Sequence, residues 1–398
     1  MTTLKILFWI SLSVLFYCYI GYGLLVFLFN TIRSSWVVKN KYPLNTEHLP
    51  VTLVVAAYNE GSILQQKISN TLAIRYPSDH LKFIFITDGS TDGSELMVKE
   101  HPIIRLLHQT ERKGKYAAIK RAMREVDTPV VAFSDANSML NAECIERIIT
   151  HFADPKVGGV AGEKKIIRNS ASALGEAEGL YWQYESLMKR LDADFNTVTG
   201  AAGELFAIRT NLFRELDDQL ILDDFVISMQ VCLQGYRIGY EPGAFAVELP
   251  SATVTEEAKR KIRISAGAYQ SIGYLKKCLD LFNYPWLGFQ YISRRLLRWI
   301  FCPFMLFLLT LTNLLIVWKQ TDTNFFTIFL LCQAGFYILA FAGWLIINSG
   351  KRAGLLTIPF YFVFMNYCLF RGFLKYIRKQ HTVLWEKSLR QTGKSVSQ

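Results

Sequence analysis

The stretch Ile6–Phe29 runs for about 24 residues without a charged side chain. At about 1.5 Å per residue, a helix of that length crosses the hydrocarbon core of a bilayer. Large aromatics continue to Phe29 with no small-residue cleavage site, which reads as a retained anchor and not as a secretory leader. Arg33, Lys39 and Lys41 follow the run while only Lys5 precedes it, so the chain after the anchor is expected in the cytoplasm. Further apolar runs lie toward the other end: Ile300–Trp318, Phe325–Ile347, and the more polar Leu355–Leu374 with Asn366 and Arg371 inside it. With 51% hydrophobic residues in all, the chain is too apolar to be disordered or wholly soluble.

Between these ends the pattern changes. Short β-rich runs at 51–57, 82–87, 102–107, 129–134 and 157–162 alternate with amphipathic stretches such as Gly61–Ile74 and Lys115–Glu125. Near-continuous apolar strands separated by helices predict an α/β domain with a mostly parallel sheet covered on both faces. In such sheets ligands bind beyond the carboxyl ends of the strands. The polar punctuation of this sequence falls at those ends.

Composition removes several other classes. The seven cysteines include no Cys-x-x-Cys pair, and Cys18, Cys302, Cys332 and Cys368 sit in apolar runs, against a disulfide framework or a zinc site. The net charge of +11 comes from Lys and Arg gathered beside the apolar runs, not from an aromatic-interleaved stripe, which argues against a nucleic-acid binder.

The first strand ends in Tyr58-Asn59-Glu60 and the second in Asp88-Gly89-Ser90, where small residues, an aromatic and carboxylates meet; each also fits a turn with a helix cap. Arg112-Lys113-Gly114-Lys115 opens a helix, whose free N–H groups and lysines suit a phosphate, although no Walker-type loop is present. Ser134-Asp135-Ala136-Asn137 offers two oxygen ligands of the kind hard divalent ions take. Thr199–Gly203 is small enough for a ligand to approach the backbone. Asp223 and Asp224, adjacent between apolar residues, are expensive to bury without a task.

In this order, and followed by a basic helix and apolar runs, these motifs resemble the membrane-bound family 2 glycosyltransferases. Their GT-A type module is shared by cellulose, chitin, hyaluronan and poly-N-acetylglucosamine synthases, and the resemblance covers about residues 50 to 270. It implies a Rossmann-like nucleotide-binding sheet flanked by transmembrane helices. Tyr58, Glu60 and Asp88 would contact the nucleoside of a UDP-linked sugar donor, and Lys115 would lie near its base and diphosphate. Asp135 and Asn137 would hold Mg²⁺ or Mn²⁺ against the diphosphate. Asp224, paired with Asp223, would be the general base that deprotonates a hydroxyl of a glycan or lipid-linked acceptor.

The sequence departs from the family at several points. Thr87 stands where many relatives have a first Asp, and Asn137 replaces the second carboxylate of Asp-x-Asp. In place of Gln-x-x-Arg-Trp the basic helix reads Arg260-Lys261-Ile262-Arg263-Ile264. Arg263 keeps the arginine that reaches the diphosphate. Ile264 lacks the flat face that stacks on an acceptor sugar, a task left to Trp182 or Tyr269, so single or short additions are expected. A processive exopolysaccharide synthase and an inactive scaffold or export subunit are the alternatives. The cations Lys259, Arg260, Lys261 and Arg263 also suit a helix lying on anionic membrane lipid.

The expected organisation is an anchor at 1–32 and a cytoplasmic GT-A domain at 33–250. Basic and interfacial helices follow at 251–298, with Leu279–Gln290 in the membrane interface. Residues 299–375 hold two spans and a third run, spanning or re-entrant, and 376–398 form a basic tail. Such a layout belongs in a bacterial inner membrane. Three full crossings after the catalytic domain would put the tail outside, whereas Lys375, Arg378, Lys379, Lys387, Arg390 and Lys394 favour the cytoplasm.

Overall fold

The computed structural model describes residues 1–34, 48–167, 173–319 and 325–384. Lys39, Lys41, Lys387, Arg390 and Lys394 lie outside the described residues. An eight-stranded sheet forms the centre, with strands β1 (Val51–Ala57), β2 (Leu81–Asp88), β3 (Ile104–Gln109), β4 (Val130–Asp135), β5 (Met139–Leu140), β6 (Val157–Ile166), β7 (Phe206–Arg209) and β8 (Arg237–Glu248). Their order is β3-β2-β1-β4-β7-β6-β8-β5. The β3-β2-β1-β4 half is wholly parallel, while β7 runs antiparallel to both β4 and β6.

The alternation of side chains along each strand builds two cores. Leu53, Val55, Phe83 and Phe85 face one side, against Leu64 and Ile68 of the helix Gly61–Leu72. Val54, Ile84, Val131 and Phe133 face the other, against Tyr116 and Ile119 of the helix Lys115–Met123. Both faces are covered, so the strands are apolar throughout. The parallel register brings Ala56 beside Asp135 and Ala57 beside Thr87, which gathers the ends of β1, β2 and β4 at one edge.

Among the described residues four helices are long and apolar enough to cross a membrane: Thr2–Arg33, Pro285–Lys319, Phe325–Asn348 and Gly354–Ile377. The second starts earlier than the sequence predicts. Pro285–Gln290, expected as part of an interfacial segment, is its first turn and a half, opened by Pro285 at the helix start.

Its arginines are not free flanking charges. Arg294 and Arg298 donate to Glu185 at 2.8 and 2.6 Å, and Arg294 also meets Asp192 at 2.9 Å. Glu185 and Asp192 belong to the helix Ala173–Phe195 of the central sheet domain. This buried ion cluster docks that domain onto the second apolar helix.

The basic helix Val254–Tyr274 does not rest on lipid through its whole cationic face. Arg260 and Lys261 are buried, with Arg260 at 3.0 Å from Glu257 and 2.5 Å from Glu178, and Lys261 at 3.6 Å from Glu257. Carboxylates supplied within the protein replace the expected lipid phosphates, and only Lys259 is largely exposed. The fourth apolar helix lies alongside this one. Tyr361 donates to Glu257, a side chain at Gly372 would strike Ser265, and Tyr376 stacks on Tyr269.

Candidate active site

A cavity of about 1090 Å³ opens where the strand ends, the basic helix and the apolar helices meet. Tyr58, Glu60, Lys115, Asp135, Asn137, Asp223, Asp224 and Arg263 all line it. They come from five segments: the ends of β1 and β4, the starts of the helices Lys115–Met123 and Asp223–Leu233, and the basic helix Val254–Tyr274. The sequence-predicted groups are therefore brought together, with one exception.

That exception is Asp88. It is fully buried and does not line the cavity. Its carboxylate accepts from the backbone N–H groups of Lys113 at 3.1 Å and Gly114 at 2.7 Å. Asp88 thus holds the turn that presents Lys115. Arg112, in the same turn, lies with its guanidinium 3.7 Å from the Tyr58 ring centre.

Lys115 Nζ lies 2.6 Å from Asp135 Oδ1 and 3.6 Å from Asp223 Oδ2. Burial alone would lower the pKa of this ammonium, but Asp135, Asp223 and Asp224 outweigh burial and raise it. Gly203 marks the point of convergence. A Cβ there would come within 2.9 Å of Lys115 Nζ, 3.2 Å of Asp224 Oδ2 and 3.5 Å of Asp135 Oδ2. The neighbouring Gly200 has φ +91, and a Cβ on it would overlap the Phe225 ring at 2.0 Å. The small-residue stretch therefore lets the backbone pass between the Asp223–Asp224 pair and the strand ends.

Asp223 and Asp224 open the helix Asp223–Leu233. Asp223 is buried, and its Oδ2 has no hydrogen-bond partner among the described residues. Burial, and then the Asp223 carboxylate, push Asp224 up to about 7. A carboxylate poised near neutrality is suited to accept and return a proton at cellular pH.

Among the described residues no three His, Cys, Asp or Glu side chains are placed to hold a metal ion together. Asp135 and Asn137 share the cavity wall, and one Asp135 oxygen is taken by Lys115. The donor set fits a divalent ion only if a diphosphate completes the shell.

Behind these residues runs a polar network that the sequence pattern did not reveal. Lys164 bridges Glu204 and Glu248, the latter at 2.7 Å, and Ser138 donates to Glu248 at 2.6 Å. Lys67, fully buried, donates to Ser134 at 2.8 Å, and burial pushes it down to about 7. A lone charge inside an apolar run was the available signal only for Glu248, in Ala246-Val247-Glu248-Leu249; Lys67 and Lys164 have polar or charged neighbours in the sequence. Of the aromatics offered in place of a stacking tryptophan, Trp182 lines the cavity, as does Ile264, whereas Tyr269 is buried and donates to the Trp299 carbonyl.

Comparison with known proteins agrees with this geometry. Residues 52–217 match the sequence profile described as "Glycosyl transferase family 2". A poly-β-1,6-N-acetyl-D-glucosamine synthase of Staphylococcus aureus is 28% identical over 258 residues, 62% of this chain and 61% of the relative. The enzyme of the same name from Staphylococcus epidermidis is 24% identical over 230 residues, 55% of each chain. The chain thus matches less than two thirds of the length of these relatives. Among solved structures, a mannosyltransferase of Pyrobaculum calidifontis, in complex with GDP-Man and Mn²⁺, superposes with a TM-score of 0.70. It covers 94% of this chain and 100% of its own at 19% identity, which speaks to the fold alone. Residues 52–217 are thus similar to the family 2 glycosyltransferases in sequence, and the chain shares its fold with a solved mannosyltransferase.

Proposed function

We propose that the chain is an inverting glycosyltransferase that moves a sugar from a nucleoside-diphosphate donor, UDP-linked, to a hydroxyl of a membrane-associated glycan or lipid-linked acceptor. The observation that carries this reading is the convergence of Lys115, Asp135 and Asp224 on Gly203 inside one cavity. Asp224 takes the acceptor hydroxyl proton as the acceptor oxygen bonds to the anomeric carbon. The bond to the diphosphate oxygen breaks on the opposite face, so the configuration inverts. The electron pair and negative charge leave with the diphosphate, where Lys115 and Arg263 meet it.

Asp135 and Asn137 would hold Mg²⁺ or Mn²⁺ jointly with that diphosphate, and the ion would supply charge neutralisation there. Tyr58 and Glu60 serve the nucleoside. Asp88 serves it through the Lys113–Gly114 turn it anchors. The Mn²⁺ and GDP-Man of the Pyrobaculum mannosyltransferase support a metal and a nucleotide sugar on this fold.

The domain faces the cytoplasm of a bacterial cell in this reading. The contacts of the fourth apolar helix support a helix that does not cross. It runs beside the basic helix from Tyr361 at Glu257 to Tyr376 at Tyr269, and Val383 beyond it lines the active-site cavity. The C-terminal segment then lies on the catalytic side, as its basic residues favour.

A second reading, repeated addition to build a polymer, is favoured by the two Staphylococcus synthases. Purified membranes incubated with a panel of labelled UDP- and GDP-sugars, with and without Mn²⁺, test both. Transfer to a lipid- or glycan-bound product is expected, and its size separates them. No transfer from any nucleotide sugar would refute the proposal.

A further inference from the structure

The resemblance leaves one task unassigned, because Ile264 has no flat face to hold an acceptor sugar. Ile264 lines the cavity, and so does Trp182 from the helix Ala173–Phe195. Of the two tryptophans in the cavity wall, Trp299 is 7% exposed and packed edge-on against Phe225 at 5.2 Å. Trp182 is only half-buried and belongs to none of the hydrophobic clusters. Its neighbours are charged: the ammonium groups of Lys164, Lys261 and Lys189 lie 4.9, 5.7 and 5.8 Å from its ring centre. Those cations and the Tyr181 ring, edge-on at 5.6 Å, hold the half-buried indole in the cavity wall.

Trp182 is also tied to the reacting centre. Lys164 beside the ring donates to Glu204, and Glu204 follows Gly203, where Asp224 and Lys115 converge. Lys189 adds a donor at the same place. It is buried, its one hydrogen bond is to the Gly162 carbonyl at 3.4 Å, and no carboxylate lies within ion-pair distance of it among the described residues.

Resting on the glycosyltransferase reading, we infer that Trp182 is the acceptor-sugar platform of this chain, taking over from residue 264, with Lys189 as a hydrogen-bond donor to the same sugar. An indole presents a flat apolar face that covers the C–H face of a pyranose, and a neighbouring ammonium meets a ring oxygen or hydroxyl. The ligand class is a pyranose-based oligosaccharide end.

The test is equilibrium binding to the full-length protein in lipid nanodiscs. The probes are labelled oligosaccharides of β-1,6-linked N-acetylglucosamine, β-1,4-linked glucose and α-linked mannose, with UDP and GDP binding measured alongside in Mn²⁺. At least one oligosaccharide should bind the wild type. Trp182→Leu should weaken it about ten-fold, equivalent to about 1.4 kcal/mol, with nucleotide binding unchanged. Trp182→Phe should stay near wild type, and adding Ile264→Trp to Trp182→Leu should recover binding by restoring a flat aromatic face to the same cavity. Unchanged binding in Trp182→Leu, a loss that Ile264→Trp leaves untouched, or nucleotide binding without any oligosaccharide binding each overturns the inference. Failure of both UDP and GDP to bind would instead remove the glycosyltransferase reading beneath it.

Discussion

Lys115 Nζ and Asp135 Oδ1 stand 2.6 Å apart, although one residue opens a helix and the other ends β4. The contact joins the cation-bearing turn to the carboxylate proposed for the metal. It leaves Asp135 with one oxygen not engaged by the lysine, which fits the proposal that a diphosphate would share in holding the ion. The same lysine reaches toward Asp223 at 3.6 Å, so one ammonium balances both carboxylate groups of the site.

Replacement of the proposed base is the most direct test. Asp224→Asn keeps the shape and removes the basicity, so turnover should fall by about 10²- to 10⁴-fold. Nucleotide binding should change only slightly. Steady-state rates and calorimetric UDP titration on the same preparation check both halves.

The pH profile follows from the pair. Asp224 stands at about 7, and a base works only when ionised, so the rate should fall as pH drops through that value. Asp223→Asn removes a neighbouring negative charge, which eases ionisation of Asp224. The acid limb should move to lower pH while burial keeps it above the value of a free Asp. A limb that stays in place would assign the profile to another group.

For the metal, chelation should stop transfer and Mn²⁺ or Mg²⁺ should restore it. Asp135→Ala should weaken UDP binding in the presence of the ion and leave metal-free binding little changed. Titrations with and without Mn²⁺ make the comparison.

Gly203→Ala places a methyl group within 2.9 Å of Lys115 Nζ and 3.2 Å of Asp224 Oδ2. The lysine must give way, so the reacting groups separate. Turnover should drop by about ten-fold or more, given how steeply rate depends on placement near 1 Å. Thermal unfolding should stay near wild type, because the flexible end of a side chain absorbs the clash.

The docking cluster has a different signature. Glu185→Gln leaves Arg294 and Arg298 buried without their 2.8 and 2.6 Å carboxylate contacts. Loss of one partner of a buried ion pair typically costs about 3 to 5 kcal/mol. A lowered unfolding temperature in detergent, reduced further in nucleotide-free protein, is the expected result.

Much of the β-sheet was legible because parallel strands buried on both faces are continuous apolar runs, and β1 through β4 and β6 fall where those runs lie. The others carried weaker signals. β7 spans four residues, and β8 alternates buried and half-buried positions around Pro242-Gly243. Neither is among the β-rich runs read from the sequence, although they complete the sheet through antiparallel and parallel pairing to β6.

The motifs at the strand ends were local, and so Lys115, Asp135, Asn137, Asp223, Asp224 and Arg263, all six lining one cavity, could be singled out from the sequence and its family resemblance. What those residues face could not. Arg294 looked like a charge at a membrane boundary, but its partner Glu185 lies 109 positions earlier and converts it into a buried tether. Arg260 and Lys261 looked like lipid-facing cations, yet Glu178 and Glu257 neutralise them inside the protein. Asp88 reads as a nucleoside contact in the sequence, and in the fold its carboxylate is buried against the turn before Lys115. Chemistry-bearing residue types and strand order are properties of short windows, set by periodicity and backbone preference. Charge partnership depends on which distant segments meet, and only the folded chain brings a carboxylate of one helix against the guanidinium of another.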